Sequence, residues 1–201
     1  MVGIDTSAVF TAHAAKYVPA AEFRQSDAAS IDVPSKGYDY AVSGLFLNFA
    51  SDKAKVLSEM ARIVRPGGMV ALYVWDYAGQ MQIMRYFFDV ARAIDPKSAA
   101  YDDGINAPIC RPNALSQAFA AAGLCDVETT AIDITAAFAD FQDYWQPFLG
   151  GTGSAPRYCT SLDEDTRNRI RNTVQAKLPT GPEGEILLAL RAWAVKGTVP
   201  V

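Results

Sequence analysis

The chain predicts an α/β fold, a mostly parallel sheet with helices on both faces, and two observations carry that expectation. From Tyr38 to Asp76 an apolar strand, an amphipathic helix, the turn Arg65-Pro66-Gly67-Gly68 and a second apolar strand follow one another, which is a βαβ unit. Tyr40, Ala41 and Val42, and then Met69 to Trp75, are nearly unbroken apolar runs, the pattern of parallel strands covered on both faces.

The elements follow in order. Val2 to Thr6 reads as a strand. Ser7 to Tyr17 reads as a helix with Phe10, Ala14 and Tyr17 on one face, and Phe23 and Arg24 lead into a short strand ending near Asp27. Ile31 to Gly37, with Pro34, is a loop before the strand at Tyr38. Ser51 and Asp52 suit the start of the next helix. Val56, Leu57, Met60, Ile63 and Val64 form its apolar stripe, while Lys53, Lys55, Glu59 and Arg62 occupy remaining positions. Pro66 ends that helix, and the glycines after it permit positive φ.

Further along, Met84, Phe87, Phe88, Ala91 and Ile94 mark a helix over 80–94, stopped at Asp95-Pro96. Residues 97–112, with several aspartates and two prolines, are expected to be irregular. Asn113 is expected to cap a helix that Gly123 ends, and 127–134 to form a strand. Phe141, Tyr144, Trp145 and Phe148 recur at helical spacing, and Gly150, Gly151, Gly153 and Pro156 read as a flexible connection. Ser161 with Glu164 offers a capping box for a helix through Leu178, and 185–195 is the last strand. The chain is expected to form one domain, with a core over 1–79, a helical or irregular insertion over 80–112 and a sheet-and-helix part over 113–201.

The segment Asp39-Tyr40-Ala41-Val42-Ser43-Gly44-Leu45-Phe46-Leu47-Asn48-Phe49, followed by Glu59-Met60-Ala61-Arg62-Ile63-Val64-Arg65-Pro66-Gly67-Gly68, resembles the fourth strand, helix and post-helix turn of class I S-adenosylmethionine-dependent methyltransferases, in their small-molecule branch. Val2-Gly3-Ile4-Asp5-Thr6-Ser7 is similar to that family's second strand with its terminal acidic residue, and Ser26-Asp27-Ala28 to its adenine-contacting motif. The resemblance covers residues 2–77. It implies a Rossmann-like sheet with an antiparallel final strand, S-adenosylmethionine as cofactor and methyl transfer to a small-molecule substrate. It also implies an N-terminally incomplete chain. The family's first strand, glycine-rich loop and first helix would precede Val2, and no G-x-G-x-x-G pattern occurs elsewhere. Cofactor affinity is therefore expected to be poor, and the sheet is expected to be left with a gap or a new pairing.

Composition narrows the classes of function. Of 201 residues, 50% are apolar and 20% charged, enough to bury a substantial core. The net charge of −4 gives no general attraction for nucleic acid or anionic lipid, so neither partner is expected. Cys110, Cys125 and Cys159 are odd in number and widely separated, which points to structural thiols rather than disulfides or zinc. No apolar run approaches the roughly 20 residues of a membrane span, no signal core is visible, and a cytoplasmic location is expected.

Candidate site residues come from strand ends. Asp5, at the end of the first strand, can accept both hydroxyl protons of a ribose, or it can cap the helix behind it. The resemblance favours the ribose role and implies Thr6 beside it. It likewise implies that Asp27 accepts from the adenine amino group with the Ala28 backbone alongside; an Asx turn is the other reading. Ser43 and Gly44 fall nearest the sulfonium, although Gly44 can equally mark a bulge. The cofactor-binding candidates are thus Asp5, Thr6, Asp27, Ala28 and Ser43. Asn48 is a weaker substrate-side candidate. No catalytic residue is assigned: the one histidine, His13, falls within a helix, and no nucleophile–base pair or paired carboxylate stands out. Tyr77, Tyr86, Phe87, Tyr144, Trp145 and Phe148 either cover a substrate or form core, and core is the commoner fate of such a stripe.

Two alternatives of other classes remain at this stage. One is a noncatalytic methyltransferase-like interaction or dimerisation module, whose open sheet is completed by a second copy in a homo-oligomer. The other is a nucleotide-dependent oxidoreductase, which the turn Arg65-Pro66-Gly67-Gly68 disfavours.

Overall fold

The computed structural model describes residues 1–201. The chain begins with β1 (Val2–Asp5), α1 (Ala8–Tyr17), β2 (Glu22–Gln25), β3 (Tyr38–Gly44), α2 (Lys53–Ile63) and β4 (Val64–Trp75). It continues with α3 (Gln82–Ile94), α4 (Asp103–Asn106), α5 (Pro112–Ala121) and β5 (Cys125–Phe138). It ends with α6 (Phe141–Trp145), α7 (Ser154–Ser161), α8 (Glu164–Lys177) and β6 (Ile186–Thr198).

The fold is α/β, with strands in two sheets. β1 and β2 pair in parallel, and a four-stranded sheet has the order β3-β4-β6-β5, with β3 parallel to β4. Gly67 and Gly68 exchange backbone bonds with Val199, while the Asp76 N–H donates to Arg191, so β6 runs antiparallel to β4, as expected of the final strand. β1 and β3 do not pair with each other, and each keeps a free edge.

By packing, the chain divides into two compact units. The first comprises Met1–Tyr73, Leu115–Thr129 and Val195–Val201, and the second Val74–Ala114 and Thr130–Ala194.

In the first unit, caps set the helix starts. The Ser7 hydroxyl accepts from the Phe10 N–H and the Asp52 carboxylate from the Lys55 N–H, each satisfying an orphan donor of a first turn. α2 buries Val56, Leu57 and Met60 as its stripe requires. It ends at Ile63 rather than at Pro66, because Val64 is already extended and the expected turn is absorbed into β4 as a bulge. Gly67 there has φ +73°, and a Cβ on Gly68 would stand 2.6 Å from the Asp39 carbonyl oxygen, so this bulge needs both glycines.

Three expectations about burial fail in this unit. β3 is covered on one face only: Tyr40 is 67% and Val42 72% exposed on one side, whereas Ala41 between them, on the other side, is buried. On α1, Phe10 and Tyr17 are exposed and only Thr11 is buried, since the helix packs mainly against the short strands β1 and β2. Glu59, expected among the polar positions, is buried instead.

The second unit holds an aromatic core. Phe87, Phe88 and Tyr144 are fully buried, with Trp145, Phe148, Ile170 and Val174 around them. Phe87 stacks on Phe148 with centroids 4.7 Å apart and meets Phe88 edge-on at 5.2 Å. Burial of such side chains contributes about 1.5–3 kcal/mol each. The Tyr144 hydroxyl donates to the Ile83 carbonyl (2.9 Å) and the Tyr158 hydroxyl to Asp95 (2.9 Å), and burial raises both phenols above their ordinary range. Burial also pushes the Cys159 thiol up to about 11, as befits a structural thiol; Cys110 is buried too, whereas Cys125 is exposed.

Segments here differ from their expected form for local reasons. Residues 97–106 are not irregular, though 107–111 are: Pro96–Tyr101 is a 3-10 helix and α4 follows, because the Asp95 and Asp102 carboxylates accept from the Lys97 and Gly104 N–H groups. Pro112, at the first helical position of α5, precedes the expected cap Asn113. The glycine-rich connection leads into α7, which accommodates Pro156 in its first turn. Asp163, not Ser161, caps α8 by accepting from the Thr166 N–H.

Candidate functional site

The free edges of β1 and β3 border a cavity of about 460 Å³ within the first unit. Its walls come from both strands, the loop after β2 and the inner face of α2. Four of the five candidate residues line it: Asp5, Thr6, Ala28 and Ser43. Asp27 does not.

Parallel pairing of β1 with β2 brings the first two stretches together. Asp5 lies opposite Gln25, the Ser26 N–H donates to the Asp5 carbonyl, and the Gln25 amide donates to the Thr6 carbonyl (3.0 Å). Both candidate carboxylates make local bonds. Asp5 Oδ1 accepts from the Ser7 N–H (2.7 Å) at the entry to α1, and Asp27 Oδ1 accepts from the Ala29 N–H (2.8 Å) in an Asx turn. These are the capping and turn arrangements that the sequence left open. Each carboxylate retains further lone pairs for a ligand.

The cavity has one charged wall residue, Asp5; the other walls are small, apolar or aromatic, including Tyr38, Tyr40, Phe46 and Met60. A single carboxylate beside aromatic faces suits a ligand carrying positive charge. The volume falls within the range of about 300–1,000 Å³ usual for small-ligand sites. At the end of β3 the room beside Gly44 is taken by Tyr73: a Cβ on Gly44 would come within 2.5 Å of the Tyr73 hydroxyl. The two residues are register partners, so Gly44 there makes way for a tyrosine ring.

Sequence reasoning missed the pair that fixes one wall. Glu59 Oε2 accepts from the Ile31 N–H (3.0 Å). Arg62 donates to the carbonyls of Ile31 (2.8 Å) and Val33 (3.1 Å) and to the Ser35 hydroxyl (3.0 Å), while pairing with Glu59 at 2.9 Å. Ile31 and Val33 both face the cavity. The Arg62 guanidinium, with help from the Ile31 N–H, holds the Glu59 carboxyl below its ordinary value despite burial. The i, i+3 spacing of opposite charges was the available signal.

The remaining candidates lie elsewhere. Asn48 is half-buried in a single 3-10 turn and is not a wall residue; His13 is exposed on α1 beside Tyr17. Phe87, Tyr144, Trp145 and Phe148 are core, so they do not cover a ligand, and Tyr77 is buried. Tyr86 lines a second cavity. No group of three or more His, Cys, Asp or Glu side chains is arranged to hold a metal, and no helix is long and apolar enough to cross a membrane.

Known proteins match part of the chain by sequence and all of it by fold. Residues 1–72 match the family described as Methyltransferase domain. The chain is 35% identical over 78 residues to a phosphatidylethanolamine N-methyltransferase of Cereibacter sphaeroides, a match covering 36% of this chain and 38% of that protein. It is 33% identical over 73 residues to a demethylmenaquinone methyltransferase of Lysinibacillus sphaericus, covering 35% and 31%. The chain thus spans about a third of the length of these curated relatives. The crystal structure of YcgJ from Bacillus subtilis superposes with a TM-score of 0.61 over 100% of this chain and 82% of that one, at 16% identity, and shows the common fold. Residues 1–72 are therefore similar to the Methyltransferase domain family, and the whole chain shares the α/β fold of the YcgJ structure.

Proposed function

We propose that the chain binds S-adenosylmethionine in the β1–β3 cavity and serves methyl transfer to a small-molecule acceptor. The observation that carries this reading is the convergence of Asp5, Thr6, Ala28 and Ser43 on one cavity whose single charge is negative. Asp5 would accept from the ribose hydroxyls, and the Ala28 backbone would address the adenine ring. Ser43, small and at the end of β3, would leave room near the sulfonium. Asp27 would act from the rim. Bound there, the cofactor supplies an activated methyl group, so the chain's own contribution is to hold an acceptor in line and exclude water. Both curated relatives carry names of small-molecule acceptors, phosphatidylethanolamine and demethylmenaquinone, which supports that class.

Calorimetric titration of S-adenosylmethionine and S-adenosylhomocysteine tests the reading. Binding should weaken about tenfold or more in Asp5→Ala, the effect of losing charge-assisted hydrogen bonds, and less in Asp27→Ala. Equal binding by wild type and Asp5→Ala would place the site elsewhere.

The exposed edge of β3 favours a second reading, in which a second copy of the chain adds a strand beside β1 or β3. Light scattering should then find a dimer, broken by Val42→Lys. A monomer at every concentration would remove this reading.

A further inference from the structure

We propose that the second unit carries a binding site for a small phosphorylated ligand, walled by α3, α4 and the end of α8. A cavity of about 650 Å³ there is lined by four cations, Arg85, Arg92, Arg111 and Lys177. Nothing in the methyl-transfer reading uses them. In a chain of net charge −4, four cations lining one cavity are a local reversal of sign.

Two of the cations are neutralised and held. Asp102 is completely buried at the start of α4, and both its oxygens bond the Arg85 guanidinium; Arg92 Nε lies 3.7 Å from Asp102 Oδ2. A buried carboxylate needs such partners. Asp89 bridges Arg92 (2.9 Å) and Arg85 (3.6 Å). Arg85 also packs on the Phe88 ring at 5.8 Å. Gly104 lets the α4 backbone lie against this group, since a Cβ there would come within 3.0 Å of the Arg85 guanidinium carbon.

Arg111 and Lys177 form no ion pair. The four cations therefore exceed the carboxylates paired with them, Asp89 on the wall and Asp102 buried behind it, by two positive charges. The Gln82 side chain, another wall residue, accepts from the Ala189 N–H through Oε1 (2.6 Å), which leaves its NH₂ as the free end. Donors on a net dipositive wall match the oxygens and double charge of a phosphate monoester better than a monovalent carboxylate. Ile105 supplies apolar surface for the ligand's body.

Calorimetry at low ionic strength, with inorganic phosphate as the probe and the full chain as the protein, tests the site. Arg111 and Lys177 are exposed, so Arg111→Gln/Lys177→Gln should fold, as far-ultraviolet dichroism would verify. Arg157→Gln/Arg169→Gln, two exposed cations of the same unit that are not wall residues, makes the same change in net charge. The expected result is millimolar binding of phosphate, tighter than acetate. It should weaken about tenfold or more in the first variant and stay within about twofold in the second. Equal weakening in both variants, acetate binding as tight as phosphate, or no saturation below about 50 mM phosphate would overturn the assignment. Because no S-adenosylmethionine is present, failure here leaves the cofactor titration unaffected.

Discussion

The walls of the β1–β3 cavity and the core built on α3 and α8 are both apolar in sequence, yet the structure treats them in opposite ways. Tyr40 and Val42 stand largely in solvent, whereas Phe87, Phe88 and Tyr144 have no exposed surface. The difference lies in partners. Around Phe87, four ring neighbours and the α8 face close the space. Beside β3, the next strand in the sheet is β4 on one edge and none on the other. An apolar run therefore states a capacity for burial, and the topology decides whether it is used.

Substitutions should reproduce this contrast. The largest effect belongs to Phe87→Ala, which should cost about 3–5 kcal/mol by leaving a cavity among packed rings, seen as a lowered midpoint in chemical denaturation. Next comes Glu59→Gln, which removes the charge that holds Arg62 and loosens the 31–35 loop. It should lower stability by about 1–3 kcal/mol at neutral pH and weaken cofactor binding through the displaced wall. Glu59 also predicts a pH dependence. Its folded pKa lies below the ordinary 4.5, so its contribution is present above that value and is lost as pH falls through the folded pKa. Wild type and Glu59→Gln should accordingly converge in stability under acid, and a gap that stayed constant from pH 7 to pH 3 would contradict the assignment. The smallest effect belongs to Val42→Thr on the open edge. It should change stability by no more than about 0.5 kcal/mol in the monomer, and a larger loss would mean that β3 is covered in solution.

Much of the fold was legible because its signals are local. The βαβ unit, the Asp52 cap, the stripe of Val56, Leu57 and Met60, and the positive φ at Gly67 follow from spacing and residue chemistry alone. The antiparallel final strand came from resemblance, and the backbone bonds of Val199 and Arg191 agree with it. What stayed hidden depends on partners distant in sequence. Glu59 reads as a surface residue until the loop at Ile31, 28 residues away, lends it an N–H. Asp102 looks like one more loop acid until Arg85 is placed over it. In the site, the cavity gathered Asp5, Thr6, Ala28 and Ser43 because parallel strands place their ends side by side. Asp27 lies outside the walls because its side chain closes a turn on Ala29.

The most direct test of the cavity as cofactor site is hydrogen exchange of the full chain with and without saturating S-adenosylhomocysteine. The account predicts slower exchange at Val2–Thr6, Ser26–Ala28 and Tyr38–Gly44, with the core helices α3 and α8 unchanged. Protection confined to other segments, or none at a concentration where calorimetry shows binding, would contradict it.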